Sequence, residues 1–200
     1  MTAPGSHYFD GEPTAQSSPR EVHLLLPDVQ LVLATDRGVF GYDRVDSGTK
    51  LLLQVAPPPA VTGNLLDIGC GTGALALTMA RRSPAATVWA IDVNERARDL
   101  CRHNADRNDI HNLRVCSPDE VPCDAVFETI WSNPAIRIGK PALHAMLLRW
   151  FGQLAAEGEA VLVVHKHLGS DSLQRWLTEQ GYSCTRSTSS GGYRVLRVAH

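Results

Sequence analysis

The sequence predicts an α/β protein: a mostly parallel, seven-stranded sheet with helices on both faces, preceded by a β-ribbon and closed by an antiparallel hairpin. Three observations predict it. From Asn64 onward, short apolar runs alternate with helical patterns. The first of these runs ends in a glycine-rich turn that opens a helix, and the chain finishes in two strand-like runs around a Ser/Gly turn. Alternation of this kind is the signature of parallel strands joined by helical crossovers.

Taken in order, residues 1–20 are rich in Pro, Gly, Ser and Thr and read as a flexible arm pinned by His7, Tyr8 and Phe9. Residues 21–200 read as a single domain, with 21–63 as ribbon and helix and 64–200 as the core. EVHLLL and VQLVLATD are strands turned by Pro27-Asp28, and GVFGYD reads as a third short piece of the ribbon. SGTKLLLQVA reads as a helix capped by Ser47 and ended by the prolines at 57–59. In the core, NLLDIG, ATVWAID, NLRVCS, VFETIWS and EAVLVVH are strands, with helices at roughly 73–82, 94–107, 139–155 and 170–180.

Composition excludes more than it selects. Two hundred residues bury a core without a staple, and 19 basic against 21 acidic residues give a net charge of −2, which advertises no partner. The five cysteines, at 70, 101, 116, 123 and 184, form no CxxC pair and read as reduced thiols of a cytoplasmic protein. No run is long enough to span a membrane, and no basic-then-apolar leader opens the chain.

The chemistry is carried by two sites. In LLDIGCGTGALALTMA an apolar strand is followed by Asp67, Gly69, Gly71 and Gly73, then by a helix. Glycines here permit a tight turn and close approach of a ligand to the helix N-terminus. The spacing is GxGxG rather than the GxGxxG of pyrophosphate binders, which argues against an NAD-linked dehydrogenase. An acid just ahead of the turn suits an ammonium group better than a diphosphate. Asp92, nineteen residues past Gly73, ends the second core strand where a carboxylate bonds both hydroxyls of a ribose. S-adenosylmethionine carries the ammonium group, the ribose and no phosphate. Asp119, after the third strand, either accepts from the adenine amine or caps a turn. Cys70, within the turn, reads as a small filler of the cofactor site rather than a nucleophile.

The second site is WSNPAIRIGK, at the end of the fourth core strand. Pro134 restricts Asn133 to extended angles, aiming its amide from the carboxyl edge of the sheet. The Asn133 amide oxygen and the Pro134 carbonyl can accept both hydrogens of an exocyclic amine. This localises the lone pair and points it at a sulfonium methyl, so catalysis is positioning, with no strong base. Alone, an Asn-Pro pair is an ordinary turn. Phe40, Tyr42 and Tyr193 either stack on a base or belong to the core. Arg37, Arg44, Lys50, Arg137 and Lys140 either meet phosphates or are simply solvated. His165 and His167 share one face of a strand but have no third metal ligand within reach, and His103 and His144 have no partner motif.

DIGCGTG, the Asp92 position and SNPAIRIGK together resemble the class I S-adenosylmethionine-dependent methyltransferases, whose fold is Rossmann-like. TDRGVFGYDRVDSGTKLLL and GGYRVLRV narrow the resemblance, which spans roughly residues 20–198, to the small-domain group that includes ribosomal small-subunit RNA guanine-N2 methyltransferases. The resemblance implies S-adenosylmethionine as cofactor, held by Asp67, Gly69, Cys70, Gly71, Gly73, Asp92 and Asp119. It implies Asn133 and Pro134 as catalytic residues, and Phe40, Lys50, Ile136, Arg137 and Tyr193 as substrate contacts. It also implies ribosomal RNA as partner, with no metal and no membrane. Two departures stand out. Ala135 replaces the second proline of the usual Asn-Pro-Pro motif, and the extra N-terminal domain of the best-known ribosomal members has no counterpart here, a surface that a homodimer would supply. The alternatives are a small-molecule amine methyltransferase and a cofactor-binding module without turnover.

Overall fold

The computed structural model describes residues 16–200, apart from the side chain of Arg137. His7, Tyr8 and Phe9, expected to pin the arm, lie outside the described residues. The last residues of that arm are tied down: Asp36 accepts from the Ser17 hydroxyl at 2.7 Å and the Ser18 amide at 2.6 Å.

The ribbon consists of β1 (Arg20–Leu25) and β2 (Gln30–Thr35), paired antiparallel and closed by a bond from the Leu26 amide to the Val29 carbonyl across Pro27-Asp28. Val22, Leu24, Leu31 and Leu33 are buried on one face, as period-two alternation requires. The piece GVFGYD is not a strand, contrary to its apolar pattern. Gly38 and Gly41 adopt φ of 81° and 85°, and left-handed residues at that spacing bend the segment into successive turns. α1 (Ser47–Val55) is capped by Asp46, not Ser47: the Asp46 carboxylate accepts from the Gly48 and Thr49 amides at 2.7 and 3.2 Å.

The core is a seven-stranded sheet. Its strands are β3 (Asn64–Ile68), β4 (Thr87–Ile91), β5 (Leu113–Cys116), β6 (Phe127–Ser132), β7 (Leu154–His165), β8 (Ser183–Ser190) and β9 (Tyr193–Ala199). Their order is β5-β4-β3-β6-β7-β9-β8, parallel from β5 to β7 and antiparallel at β9 and β8. The connecting helices are α2 (Ala74–Arg82), α3 (Glu95–Arg107), α4 (Lys140–Phe151) and α5 (Ser170–Glu179). α4 stops four residues short of its expected end because Leu154 is already paired with Phe127 as the first residue of β7.

Two apolar layers cover the sheet. On one face Leu65, Val88, Val161 and Val163 meet the ribbon, α1 and α2 through Leu24, Leu33, Leu52 and Leu77. On the other, Leu66, Ile130 and Leu162 meet α4 and α5 through Leu147, Trp150 and Leu173. Chain order runs outward from β3 toward β5 and then resumes on the other side at β6. The carboxyl ends of β3 and β6 therefore flank the switch point where such sheets bind ligands.

Candidate active site

At this switch point lies a cleft of about 1070 Å³. Its first half is built by β3, β4 and the turns that follow them. The amides of Gly69 and Cys70 both donate to the Ile91 carbonyl at 2.9 Å, binding the turn to β4. Gly69, at φ 75°, faces open space, where a side chain would project into the cleft. Gly73, at φ 91°, answers a packing demand, because a Cβ there would meet Leu77 at 2.5 Å and Cys101 at 2.8 Å.

Asp67 is fully buried beneath this turn. Its Oδ2 accepts from the Ala76 amide at 3.0 Å in the first turn of α2, whereas Oδ1 has no partner among the described residues. Burial pushes its pKa up to about 8, the bond from Ala76 opposing and the Asp92 charge reinforcing the shift. Asp67 borders a small cavity lined also by Thr49, and that cavity shares Asp46, Gly69 and Asn133 with the main cleft. Asp92 accepts from the Gly71 amide at 3.0 Å through one oxygen and from the Asn94 amide at 2.9 Å through the other. Burial raises its pKa, opposed by bonds from the Asn94, Gly71 and Val93 amides and by the Arg98 charge. Asp92 lines the cleft, where a carboxylate can accept from a vicinal diol.

The other sequence-predicted cofactor residues divide. Cys70 is buried, and its pKa is driven well above that of an ordinary thiol by hydrogen bonding to Cys101 and by burial, so it is a packed filler. Asp119 sits on the 3-10 turn Pro118–Glu120 and points away, exposed, to pair with Arg149 at 3.3 Å; Pro118 lines the cleft in its place.

The second half of the cleft centres on Asn133. Its Nδ2 donates to the Asp46 carboxylate at 3.0 Å and to the Thr49 hydroxyl at 3.1 Å, while its Oδ1 has no partner among the described residues. The Tyr193 hydroxyl donates to the other Asp46 oxygen at 3.2 Å. Burial and the adjacent Asp46 carboxylate raise the Tyr193 pKa. Pro134 is buried, and its carbonyl already accepts from the Ile136 amide at 2.8 Å, keeping one lone pair. Ala135 holds φ −68°, the angle a proline would impose, so the chain here keeps the course of an Asn-Pro-Pro motif.

Among the expected substrate contacts, Phe40, Ile136 and Tyr193 line the cleft. Lys50 is exposed on α1 and does not, nor do Arg37, Arg44 and Lys140. The side chain of Arg137 lies outside the described residues. Tyr42 is held in the ribbon by the Arg20 guanidinium 4.8 Å from its ring and a bond from its hydroxyl to Ser18. His165 and His167 border the far end, and among the described residues no group of three or more His, Cys, Asp or Glu could hold a metal.

Several supporting residues escape a reading of the sequence. Asp46 and Thr49 hold Asn133, and the Asn104 amide bonds the backbone of both Ala34 and Thr72, joining the ribbon to the glycine turn. Asn94 donates to the Gly38 carbonyl at 2.9 Å. The one local signal was the helix-start pattern at Asp46, which marks a cap but not its remote partner.

The family described as methyltransferase small domain matches residues 30–197, most of the chain. The chain belongs to that family. It is 32% identical over 195 residues to the Bacillus subtilis protein YbxB, covering 96% of this chain and 97% of that one. It is 27% identical to the ribosomal RNA small subunit methyltransferase C of Shewanella amazonensis, over 78% of this chain but 47% of that protein. The chain thus spans about half the length of the small-subunit methyltransferase relative. Among solved structures, the T. thermophilus 16S rRNA N2 G1207 methyltransferase in complex with AdoMet and guanosine superposes with a TM-score of 0.78 at 22% identity, covering 94% of this chain and 52% of that one. This likeness shows the shared fold.

The residues of the first half fit the cofactor such a methyltransferase uses. An unpartnered buried carboxylate oxygen suits the ammonium of S-adenosylmethionine, and a carboxylate at the end of β4 suits its ribose. Among the described residues, no Arg or Lys lines the small cavity at the glycine turn.

Proposed function

We propose that this small-domain methyltransferase transfers the methyl group of S-adenosylmethionine to an exocyclic amine, guanine N2 of ribosomal RNA. The observation that carries this reading is the polarity of Asn133: with both Nδ2 hydrogens committed to Asp46 and Thr49, it presents an acceptor to the cleft. A substrate must bring a donor. The resemblance to ribosomal guanine-N2 enzymes supports guanine as that donor's ring.

In this reading Asp67 meets the cofactor's ammonium, the glycine turn lies against its amino acid portion, and Asp92 bonds its ribose. The cofactor supplies an electrophilic methyl on sulfur. This chain's residues do the rest. Asn133 Oδ1 takes one amine hydrogen, and the spare lone pair of the Pro134 carbonyl takes the other. Holding both out of the ring plane keeps the nitrogen lone pair off the aromatic system and in line for displacement. Transfer of the methyl from sulfur to the amine nitrogen would leave a surplus proton on that nitrogen, which would pass to solvent, since neither Asn133 nor Pro134 is a base. Phe40 and Ile136 offer apolar surface to the flipped base at the rim.

One observation favours a small-molecule amine as acceptor instead. Among the described residues lining the cleft, Arg149 is the single arginine or lysine, and Asp119 neutralises it. Both readings are tested by offering labelled S-adenosylmethionine with 30S subunits, free ribosomal RNA, transfer RNA and a metabolite extract. Label in ribosomal RNA with the wild type, and none with Asn133→Ala, is the expected result. Label confined to small molecules moves the acceptor to metabolism, and cofactor binding without transfer anywhere contradicts an enzymatic role.

A further inference from the structure

We infer that Asp46 is a positioning and specificity-determining residue: it sets which end of the Asn133 amide faces the acceptor and so decides that the substrate must donate a hydrogen bond. The inference rests on the amine-acceptor reading above and adds the residue that enforces it.

An amide side chain is nearly symmetric in shape, and either its oxygen or its nitrogen can be turned outward. A carboxylate accepts hydrogen bonds and donates none. At 3.0 Å from Asp46 Oδ2, the nearer Asn133 atom is therefore Nδ2; a flipped amide would place oxygen against oxygen. The Thr49 hydroxyl, 3.1 Å from Nδ2, fills the second hydrogen of the same group. Asp46 is itself immobilised from three sides. It caps α1 through the Gly48 and Thr49 amides, and its second oxygen accepts from the Tyr193 hydroxyl, which arrives from β9 at the far end of the sequence. Tyr193 in turn stands edge-on to His165, with ring centroids 4.9 Å apart, and its ring packs over Gly48, where a Cβ would approach to 2.6 Å. The chain of contacts thus runs from the β9 strand through Tyr193 and Asp46 to the amide that meets the substrate. Tyr193 acts in it as a strut.

The cap and the anchor are separable by substitution. Serine at 46 still caps a helix but is too short to reach Asn133, whereas asparagine caps as well as aspartate and keeps an oxygen in the Oδ2 place. Three readouts apply, all with full-length protein: the single-turnover rate of methyl transfer, the relative affinity for guanosine and inosine with S-adenosylhomocysteine present, and hydrogen exchange of the Asn133 side-chain amide by NMR. Inosine lacks the exocyclic amine, so the wild type should prefer guanosine by about tenfold.

Asp46→Ser should lower the rate by about 10²-fold, as sub-ångström positioning is lost, and level the two nucleosides. It should also speed exchange of the Asn133 amide by about tenfold. Asp46→Asn should restore most of the rate and the protection, and this difference from Asp46→Ser, which also caps, is what a role in capping alone would not predict. Wild-type exchange and rate in Asp46→Ser would overturn the inference, as would a fall in rate matched by an equal fall in cofactor affinity. A wild type that binds guanosine and inosine equally would instead contradict the amine reading, while the exchange measurement would still decide the anchor.

Discussion

The two halves of the cleft are built on opposite plans. The half proposed for the cofactor is local: Asp67, the glycine turn and Asp92 belong to consecutive strand ends, and their contacts run between neighbours in one crossover unit. The half proposed for the acceptor is assembled from three distant segments, 46–49, 133–136 and 193, which meet only when β6, β9 and the capped end of α1 are in place. A half made of local geometry tolerates little substitution in its own motif but needs little from the rest of the chain. A half assembled at long range can be retuned from residues that never touch the substrate.

The sharpest break in this comparison is Asn133→Ala. It should cut the methyl-transfer rate by about 10²–10³-fold, by analogy with loss of one preorganised hydrogen-bonding group, and leave cofactor affinity unchanged. Asp92→Ala should do the reverse. Loss of charged hydrogen bonds to a ribose weakens binding by about 1.5–3 kcal/mol, read by calorimetry as a raised Kd for S-adenosylmethionine, with the saturated rate held.

A third test separates the halves by pH. With Asp67 at about 8 in the folded protein against an ordinary 3.8, the native chain holds a proton between those values that the unfolded chain has released. Stability of the cofactor-free protein should therefore fall as pH rises from about 4 to about 8, Asp92 contributing in the same direction. An ammonium group against Asp67 favours the ionised form, so the stabilisation by S-adenosylmethionine should grow over the upper part of that range. Thermal melts from pH 5.5 to 8 should show both trends, and Asp67→Asn should flatten them. The smallest effect is expected from Ala135→Pro. At φ −68°, with no hydrogen bond to the Ala135 amide among the described residues, proline fits without strain. It should add about 0.4–1 kcal/mol of stability and leave methyl transfer unchanged.

What was legible in the sequence follows the same division. Gly69, Gly71, Gly73, Asp67, Asp92 and Asn133 stood out because each lies at a fixed offset from a strand end, and strand ends are marked by local apolar pattern. The alternation of strands and helices was legible for the same reason. GVFGYD misled because its apolar residues suit a strand while two left-handed glycines forbid one. Ser47 and Asp46 are both good caps, and only the folded helix shows which carboxylate or hydroxyl meets the free amides. Asp119 has the right position in the chain, but Arg149, from α4, draws it outward. No offset within the sequence could join Asp46 to Asn133, or Asn104 to Thr72, since those pairs depend on how the ribbon and helices dock.

The most direct test of the central claim, that Asn133 offers an acceptor to an exocyclic amine, is the identity of the methylated product. RNA methylated by the purified protein would be digested to nucleosides and resolved by chromatography and mass spectrometry. N2-methylguanosine is the predicted product. Methylation of a ring carbon, a ring nitrogen or the ribose 2′-hydroxyl would contradict the account.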